Sequence, residues 1–356
     1  MKRNYSRRAV VVALFGSVAT GVFADAPLTS LRPMGRAQKA GAITPEMRVP
    51  LIDVIRASGV VGRVSAVLAD ATTGEIIDSS DGNEPLPPAS VTKVVTALYA
   101  LEYLGPDFQF ETRVFADGPI LDGVLVGNLI LEGGGNPNLL TDDLAQLATR
   151  LKDSGLTAVR GKFYVYDGAL PNLDEIDESQ LDQSGYNPAI SGLNLNFNRV
   201  HFEWQREGGA YTVMLDARSI NFRPAVTVAK MRIVDRSVPV YTYRDGGGLD
   251  EWTVARGALG SGGSRWLPVR YPALYAGEVF AGFARGHDIA LTPASEIALP
   301  PQAAPIAIHK SVSLHRMMQE MLRFSTNITA EAAGMTATKE RTGQMRGLRT
   351  SALGMS

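Results

Sequence analysis

The stretch PLPPASVTKVVTALYALEYLG, residues 85–105, decides the fold of this 356-residue chain. Two adjacent prolines and a Gly-Pro pair flank five apolar residues that recur through it at helical spacing, namely Val91, Val94, Val95, Leu98 and Leu101. This pattern predicts a helix that begins just past the prolines. Ser90 lies at the start of that helix and Lys93 follows three residues later. Because residues i and i+3 share one face of a helix, we expect the two side chains to touch.

A hydroxyl and an amine held on one helical face can carry out nucleophilic catalysis. The hydroxyl attacks well only after a base removes its proton, and a lysine is such a base only when it is neutral. Lowering a lysine pKa from about 10.4 to about 7 costs roughly 4 to 5 kcal/mol, which burial and a helix N-terminus can supply. The alternative is that Ser90 caps the helix and Lys93 faces water. A second polar signature, STN at Ser325 to Asn327, lies between two helical segments and favours catalysis.

The pattern on either side of this helix predicts one domain interrupted by another. The stretch GRVSAVLADATTGEIIDSSD, which precedes the helix, has two β-branched runs around a turn signal and predicts a hairpin. Residues 106–300 are mostly strand-like, with a hairpin turn predicted at REGG, residues 206–209. Helices are predicted there in TDDLAQLATRLKDSG and PALYAGEVFAGFARGHD. The helical pattern resumes after LPPQAAP, in SVSLHRMMQEMLRF, where Ser313 can cap a helix. The spacing places five apolar residues on one face of that helix, namely Leu314, Met317, Met318, Met321 and Leu322. We therefore predict a catalytic domain made of residues 59–105 and 301–356, with a mainly β insertion over residues 106–300.

Four segments carry a resemblance to a known family. ASVTK, LEGGGNPNL, SGLNLNFNRV and MLRFSTNITAE occur in an order that resembles the D-alanyl-D-alanine carboxypeptidase/endopeptidase branch of the penicillin-binding proteins, the class C low-molecular-mass type. The resemblance implies an α/β (α+β) fold of the serine β-lactamase/transpeptidase type, an antiparallel sheet flanked by helices. It implies that Ser90 is the nucleophile and Lys93 its base. It further implies that Ser325 relays a proton and that Asn327 holds the substrate amide and orients Lys93.

The sequence departs from the family pattern at three places. Thr326 replaces the acid of S-D-N, and Asn136 in LEGGGNP stands where the family is expected to have Asp. No K-T-G follows the second motif. RTG at residues 341–343 lies only 14 residues past Asn327, in a segment without a strand pattern, and we do not assign it as the third motif. The sequence therefore resembles a member truncated at its C-terminus.

The first residues have the layout of an export signal. A basic front precedes an apolar run from Ala9 to Phe23, and cleavage after Ala24 is predicted. The apolar run has 15 residues, fewer than the ~20 that a membrane span needs. Paired arginines leave the export route open. We predict a signal peptide over residues 1–24, an N-terminal arm over residues 25–58 and a periplasmic location, with loose membrane association as an open alternative.

Composition excludes several other functions. Removing the predicted signal takes away four basic residues and no acid, so the formal charge moves from −1 to −5, which argues against a nucleic-acid partner. The absence of cysteine excludes disulfides, thiol catalysis and Cys-ligated metals. The four histidines lack H-E-x-x-H spacing and the glycines of LEGGGNP predict a turn, so neither a metal nor a cofactor is expected. Acidic NLDEIDESQLD is interpreted as a solvated loop.

These observations lead to one leading hypothesis and two alternatives. The leading hypothesis is a serine peptidase that acts on peptidoglycan stem peptides through an acyl-enzyme at Ser90 and is inhibited by β-lactams. One alternative is a truncated, non-catalytic remnant that binds cell-wall peptides. The other is a class A β-lactamase, which shares S-x-x-K but is disfavoured by the 235 residues between Ser90 and Ser325. The sequence leaves open the preference for carboxypeptidase or endopeptidase action and the oligomeric state.

Overall fold

The computed structural model describes residues 49–355, so the predicted signal peptide and most of the predicted arm lie outside the described residues. Two compact units make up the chain, one ending at Pro87 and the other beginning at Pro88. The helices are α1 (Leu51–Ala57), α2 (Lys93–Leu104), α3 (Thr141–Asp153), α4 (Pro272–Gly286), α5 (Leu314–Phe324), α6 (Asn327–Thr342) and α7 (Leu348–Leu353). The strands are β1 (Ala66–Ala69), β2 (Ile76–Ser80), β3 (Glu111–Asp117), β4 (Ile120–Leu121), β5 (Val124–Leu125), β6 (Asn128–Gly133), β7 (Ala158–Val159), β8 (Phe163–Tyr166), β9 (Arg199–Glu207), β10 (Ala210–Asp216), β11 (Ala229–Val234), β12 (Tyr241–Asp245), β13 (Asp250–Ala255), β14 (Gly262–Pro268), β15 (Ser295–Glu296) and β16 (Pro305–Lys310).

The first unit contains a short helix and the predicted hairpin. Strands β1 and β2 pair antiparallel, which confirms the hairpin. The Asp70 carboxylate accepts hydrogen bonds from the backbone N–H groups of Thr72 and Thr73, both at 2.8 Å, and so shapes the turn. Helix α1 lies within the predicted arm, and the Leu51 N–H at its start donates to the Asp78 carboxylate of β2 at 2.8 Å.

A five-stranded mixed sheet forms the centre of the second unit. Its strand order is β15-β8-β6-β3-β16, with β15, β8 and β6 parallel and with β3 antiparallel to both β6 and β16. Helix α3 buries Leu144, Leu147 and Leu151 in the core beside this sheet, at the i, i+3, i+7 spacing of a single helical face. Strand β16 follows the predicted end of the insertion near residue 300, yet it pairs with β3 inside it. The domain boundaries stay a prediction.

Three three-stranded sheets complete the β structure of the predicted insertion, ordered β4-β5-β7, β10-β9-β14 and β11-β13-β12. Strands β9 and β10 form the hairpin predicted at REGG, where Gly208 and Gly209 have φ of 55° and 88°. The central strands of the last two sheets, β9 and β13, contribute the buried Phe202 and Trp252 to the same core as the five-stranded sheet. The insertion therefore has a continuous apolar interior.

An asparagine-rich turn of the predicted insertion packs against the first turn of helix α6. Asn196, Phe197 and Asn198 have consecutive left-handed φ values of 50°, 59° and 50°. Asparagine tolerates this region better than most residues. The Asn196 side-chain oxygen Oδ1 accepts from the Thr141 N–H at 3.1 Å, which fixes the turn. As a result Phe197 packs against the cluster that contains Ile328 of α6.

Helix α2 forms where the sequence predicts it, but it buries a different face. A 3-10 turn over Ala89–Thr92 precedes it, and Gly105 at φ 82° ends it. The strongly apolar positions are exposed by 46 to 70 %, namely Val91, Val94, Val95 and Leu98. The buried positions are Lys93, Ala97, Tyr99 and Ala100. The small side chains of Ala97 and Ala100 allow another helix of the second unit to approach closely. They therefore decide which face of α2 is packed.

Helices α2 and α6 lie side by side and run parallel. The Tyr99 and Thr338 hydroxyls are 3.1 Å apart. A Cβ placed on Gly334 would lie 3.4 Å from the Thr96 methyl group, and Glu331 interacts electrostatically with Lys93. Residues 93, 96 and 99 of α2 therefore lie beside residues 331, 334 and 338 of α6, in the same order along the chain. The N-termini of the two helices thus lie at the same end of the pair.

Helix α5 packs against this pair through its predicted face. Ser313 caps it by accepting from the Arg316 N–H, as predicted, and its buried residues are Leu314, Met317, Met318 and Met321. Leu322, which the pattern places on the same face, is 46 % exposed. None of the helices between residues 49 and 355 is long and apolar enough to cross a bilayer.

Replacing Tyr99 by Phe tests the α2–α6 contact. The change removes one buried hydrogen bond, while Thr338 keeps its own bond to the Gly334 carbonyl at 2.9 Å. We expect the free energy of unfolding to fall by about 1 kcal/mol in urea titrations. Tyr103→Phe is the control, because that side chain is 40 % exposed on the same helix. Equal losses in the two variants would contradict the proposed contact.

Candidate active site

Ser90 and Lys93 are in direct contact at the start of helix α2. The Lys93 Nζ donates to the Ser90 Oγ at 3.1 Å, as the i, i+3 spacing predicts. Ser90 is exposed, whereas Lys93 is only 8 % exposed. The alternative of a fully hydrated Lys93 is therefore wrong. The pair offers a solvent-accessible hydroxyl beside a covered amine, which is the arrangement that activates a nucleophile.

The backbone before Ser90 is strained. Ala89 has φ 48°, in the left-handed region that costs a residue with a Cβ about 1 to 2 kcal/mol. The Thr92 hydroxyl donates to the Ala89 carbonyl at 2.7 Å and helps hold this conformation. This residue follows Pro88 directly and starts the 3-10 turn that carries Ser90. Strain of this kind is concentrated at functional sites because the surrounding structure must impose it.

Two opposing influences set the protonation of Lys93. Burial lowers the pKa of the Lys93 amine, and the Glu331 carboxylate raises it, with burial the larger cause and the net shift downward. Burial likewise raises the pKa of Glu331, and Lys93 counteracts that shift. A neutral amine is therefore easier to reach here than at an exposed lysine.

The parallel arrangement of α2 and α6 brings two helix N-termini to the site. Ser90 precedes Lys93 by one turn, and Asn327 precedes Glu331 by one turn. Each N-terminus has unpaired N–H groups and a partial positive charge. Such an end favours a neutral lysine and stabilises negative charge on a nearby oxygen.

The second polar signature joins helices α5 and α6. Ser325 is exposed and left-handed, with φ 57°, and Asn327 is the first residue of α6. The Asn327 amide donates to the Tyr186 carbonyl of the insertion at 2.9 Å. Within residues 49–355 the hydrogen bonds join Ser90 to Lys93 and do not join either of them to Ser325 or Asn327. The roles of all four residues stay predictions.

The glycine-rich LEGGGNP segment forms a turn that contacts the same helix. The Asn136 side chain accepts from the Asn138 N–H at 3.0 Å, as expected of a turn. Asn138 in turn accepts from the Thr329 hydroxyl at 2.8 Å. Thr329 is fully buried in the first turn of α6. Both insertion segments therefore fix the start of the helix that carries Asn327.

Glu331 and Tyr186 are the site residues that sequence reasoning missed. Glu331 had a local signal, because it lies four residues after Asn327 on one helical face. Tyr186 had none, since it contacts Asn327 across 141 residues. The RTG segment lies at the end of α6, where Gly343 forms a left-handed cap, so it is not part of a strand.

The histidines are dispersed through the chain. His201 packs edge-on against Trp266, and His309 lies 3.6 Å from the Asp143 carboxylate. Within residues 49–355 no three side chains of the metal-binding types come together. The two buried histidines are therefore accounted for by packing and by a polar contact.

Two solved structures have the same fold as this chain. Two structures of penicillin binding protein 4 (dacB) from Haemophilus influenzae, the second complexed with a novel β-lactam, superpose with TM-scores of 0.68 and 0.67. They are 19 % and 18 % identical in sequence, and the match covers 86 % of this chain and 69 % and 68 % of theirs. The chain therefore has the mixed α/β fold of a penicillin-binding protein, which confirms the predicted fold class.

Sequence comparison gives the family. Residues 51–348 match the D-Ala-D-Ala carboxypeptidase 3 (S13) family, and the chain belongs to it. A D-alanyl-D-alanine carboxypeptidase from Actinomadura sp. is 28 % identical over 319 residues, which are 83 % of this chain and 58 % of the relative. The carboxypeptidase DacB of Haemophilus influenzae is 35 % identical over 98 residues, 28 % of this chain and 20 % of that protein. The chain thus spans little more than half the length of the Actinomadura relative.

Replacing Glu331 by Gln tests the electrostatics of the site. Because the carboxylate raises the pKa of Lys93, its removal should lower that pKa further. We expect the Lys93 amine, followed by NMR of labelled lysine side chains and assigned with Lys93→Gln, to lose its proton at lower pH than in the wild type. Glu340→Gln, an exposed position on the same helix, should leave the titration unchanged. A rise of the Lys93 pKa in Glu331→Gln would contradict this account.

Proposed function

We propose that this chain is a serine D-Ala-D-Ala carboxypeptidase/endopeptidase that acts on peptidoglycan stem peptides through an acyl-serine intermediate. The observation that carries the proposal is the 3.1 Å contact between the accessible Ser90 hydroxyl and the covered Lys93 amine. Membership of the carboxypeptidase family supports the same substrate class. No cofactor enters the proposal, because a hydroxyl and an amine suffice for acyl transfer.

The reaction begins with neutral Lys93. Its amine takes the Ser90 proton while the Oγ attacks the carbonyl of the penultimate D-Ala. The carbonyl oxygen becomes an oxyanion, for which helix N-terminal N–H groups are suitable donors. The C–N bond then breaks, and the leaving amine takes up the proton held by Lys93. Water hydrolyses the Ser90 ester with Lys93 again as base, and the free hydroxyl returns.

The second signature has a supporting role in this proposal. Ser325 relays protons between the pair and the leaving amine, by its match to the family motif. Asn327 holds the substrate amide. Its side-chain nitrogen has two N–H donors and uses one on the Tyr186 carbonyl, so the contact with the insertion still leaves a donor for substrate. The Tyr186 carbonyl therefore orients the Asn327 side chain and leaves one of its N–H donors available.

Two alternatives make different predictions. Family membership and the large insertion favour a carboxypeptidase over a class A β-lactamase. A non-catalytic peptide-binding protein would bind D-Ala-D-Ala peptides without acylation. A β-lactam distinguishes the proposed peptidase from the peptide-binding protein. Its strained amide should acylate Ser90 only when Ser90 and Lys93 are catalytically competent.

Labelled penicillin tests the nucleophile. We expect the purified chain to become covalently labelled and Ser90→Ala to fall to background, because the variant lacks the attacking oxygen. Ser264→Ala, which removes an exposed serine on β14, should label like the wild type. Peptide mass spectrometry should place the adduct on Ser90.

The outcomes separate the hypotheses. Equal labelling of wild type and Ser90→Ala would remove the nucleophile assignment. A wild type that binds a D-Ala-D-Ala peptide but is never labelled would instead support the binding-only alternative. Release of D-Ala from a pentapeptide, compared with cleavage of a cross-linked dimer, decides between carboxypeptidase and endopeptidase action.

We also propose that the chain is exported to the periplasm, where peptidoglycan lies. The basic and apolar start of the sequence supports this location. Intact mass spectrometry of the protein recovered from a periplasmic extract should give a mature chain that begins at Asp25. Recovery of the full-length chain from the cytoplasm alone would contradict the proposal.

A further inference from the structure

Three arginines surround one cavity in the insertion. The cavity has a volume of about 420 Å³ and lies where β9 and β10 meet the ends of β11 and β13. Its lining includes Arg206, Arg236 and Arg256, together with Tyr211, Asp235 and Gly257. None of these residues belongs to the Ser90–Lys93 site. We call this feature the arginine cavity.

The arginine cavity has a strong local charge. Three guanidinium groups and one carboxylate line it, a formal excess of two positive charges. The whole chain is nearly balanced, with 35 basic and 36 acidic residues. The concentration of arginine therefore does not follow from composition. It follows from the fold, which collects residues from separate strands.

Two of the arginines are held in place by protein acceptors. The parallel register of β11 and β13 places Asp235 beside Arg256, whose Nε donates to the Asp235 carboxylate at 2.6 Å. Arg236 donates through Nε to the Pro239 carbonyl at 2.5 Å and through Nη2 to the Thr253 carbonyl at 3.4 Å. A guanidinium has five N–H donors, so each arginine keeps donors for another acceptor.

The third arginine shares an aromatic platform with Arg256. Arg206 and Tyr211 are opposite each other on β9 and β10. The Arg206 and Arg256 guanidinium carbons lie 5.7 and 5.9 Å from the Tyr211 ring centroid. The Tyr211 hydroxyl donates to the Gly260 carbonyl at 2.6 Å and fixes the ring. One ring therefore orients two cations, and less side-chain entropy remains to be lost on binding.

We propose that the arginine cavity binds an oxyanion, namely a phosphate or carboxylate group. The planar fork of arginine matches both groups and can bind either with two parallel hydrogen bonds. Asp235 is already paired with Arg256, so it opposes such a ligand less than a free carboxylate would. This binding function is additional to the proposed peptidase reaction and does not depend on it.

Two substitutions test the site by different routes. Arg206→Gln removes a guanidinium that lies against the Tyr211 ring. Gly257→Glu adds a carboxylate and fills space, and the fold should accept it because a Cβ at Gly257 meets no atom within 4 Å. Gly282→Glu is the matched control. It adds the same charge at an exposed position of α4, where a Cβ likewise meets no atom within 4 Å.

Isothermal titration with inorganic phosphate and with glutarate at low ionic strength gives the readout. We expect the wild type and Gly282→Glu to bind at least one probe, and more weakly as salt is added. Affinity should fall about tenfold or more in Arg206→Gln and Gly257→Glu. Preference for one probe identifies the group that the site takes. No binding of either probe up to ~10 mM, or equal affinity in all four proteins, would overturn the proposal.

Discussion

The close parallel packing of helices α2 and α6 is the constraint on which the candidate site depends. Alanines and a glycine line the contact, including Ala97 on α2 and Ala333 and Gly334 on α6. Small side chains let the helix axes approach, so Lys93 is covered by its neighbour. The direction matters equally. Helix α6 has 16 residues and is about 24 Å long, so an antiparallel arrangement would carry Asn327 to the opposite end from Ser90.

Burial of Lys93 creates an electrostatic conflict that Glu331 moderates. A covered ammonium without a counter-charge would destabilise the fold, and a fully paired one would not give up its proton. Glu331 lies close enough to interact with Lys93 but does not overcome the effect of burial. Its own pKa is raised, because it is covered as well. The lysine is therefore tolerated in the fold and remains within reach of deprotonation.

Local patterns were predictable from sequence, and long-range contacts were not. The Ser90–Lys93 contact depends only on a helix start and a three-residue spacing. The hairpins and the long helices also have signals within their own residues. The packed face of α2 was not predictable, because its most apolar positions are not the ones that α6 covers. The Tyr186–Asn327 bond and the pairing of β16 with β3 depend on the tertiary fold, which no local spacing encodes.

Residues of the predicted insertion help to position the candidate site. Asn138 and Tyr186 bond to the first turn of α6 across 191 and 141 residues. Ile328, in the same turn, is buried against Leu170 and Ile190 of the insertion. These polar and apolar contacts position the helix end that carries Asn327. Since hydrogen-bonded networks couple the residues that share them, the geometry of the second motif depends on how the insertion folds. Loop changes there can therefore alter the site without touching Ser90 or Lys93.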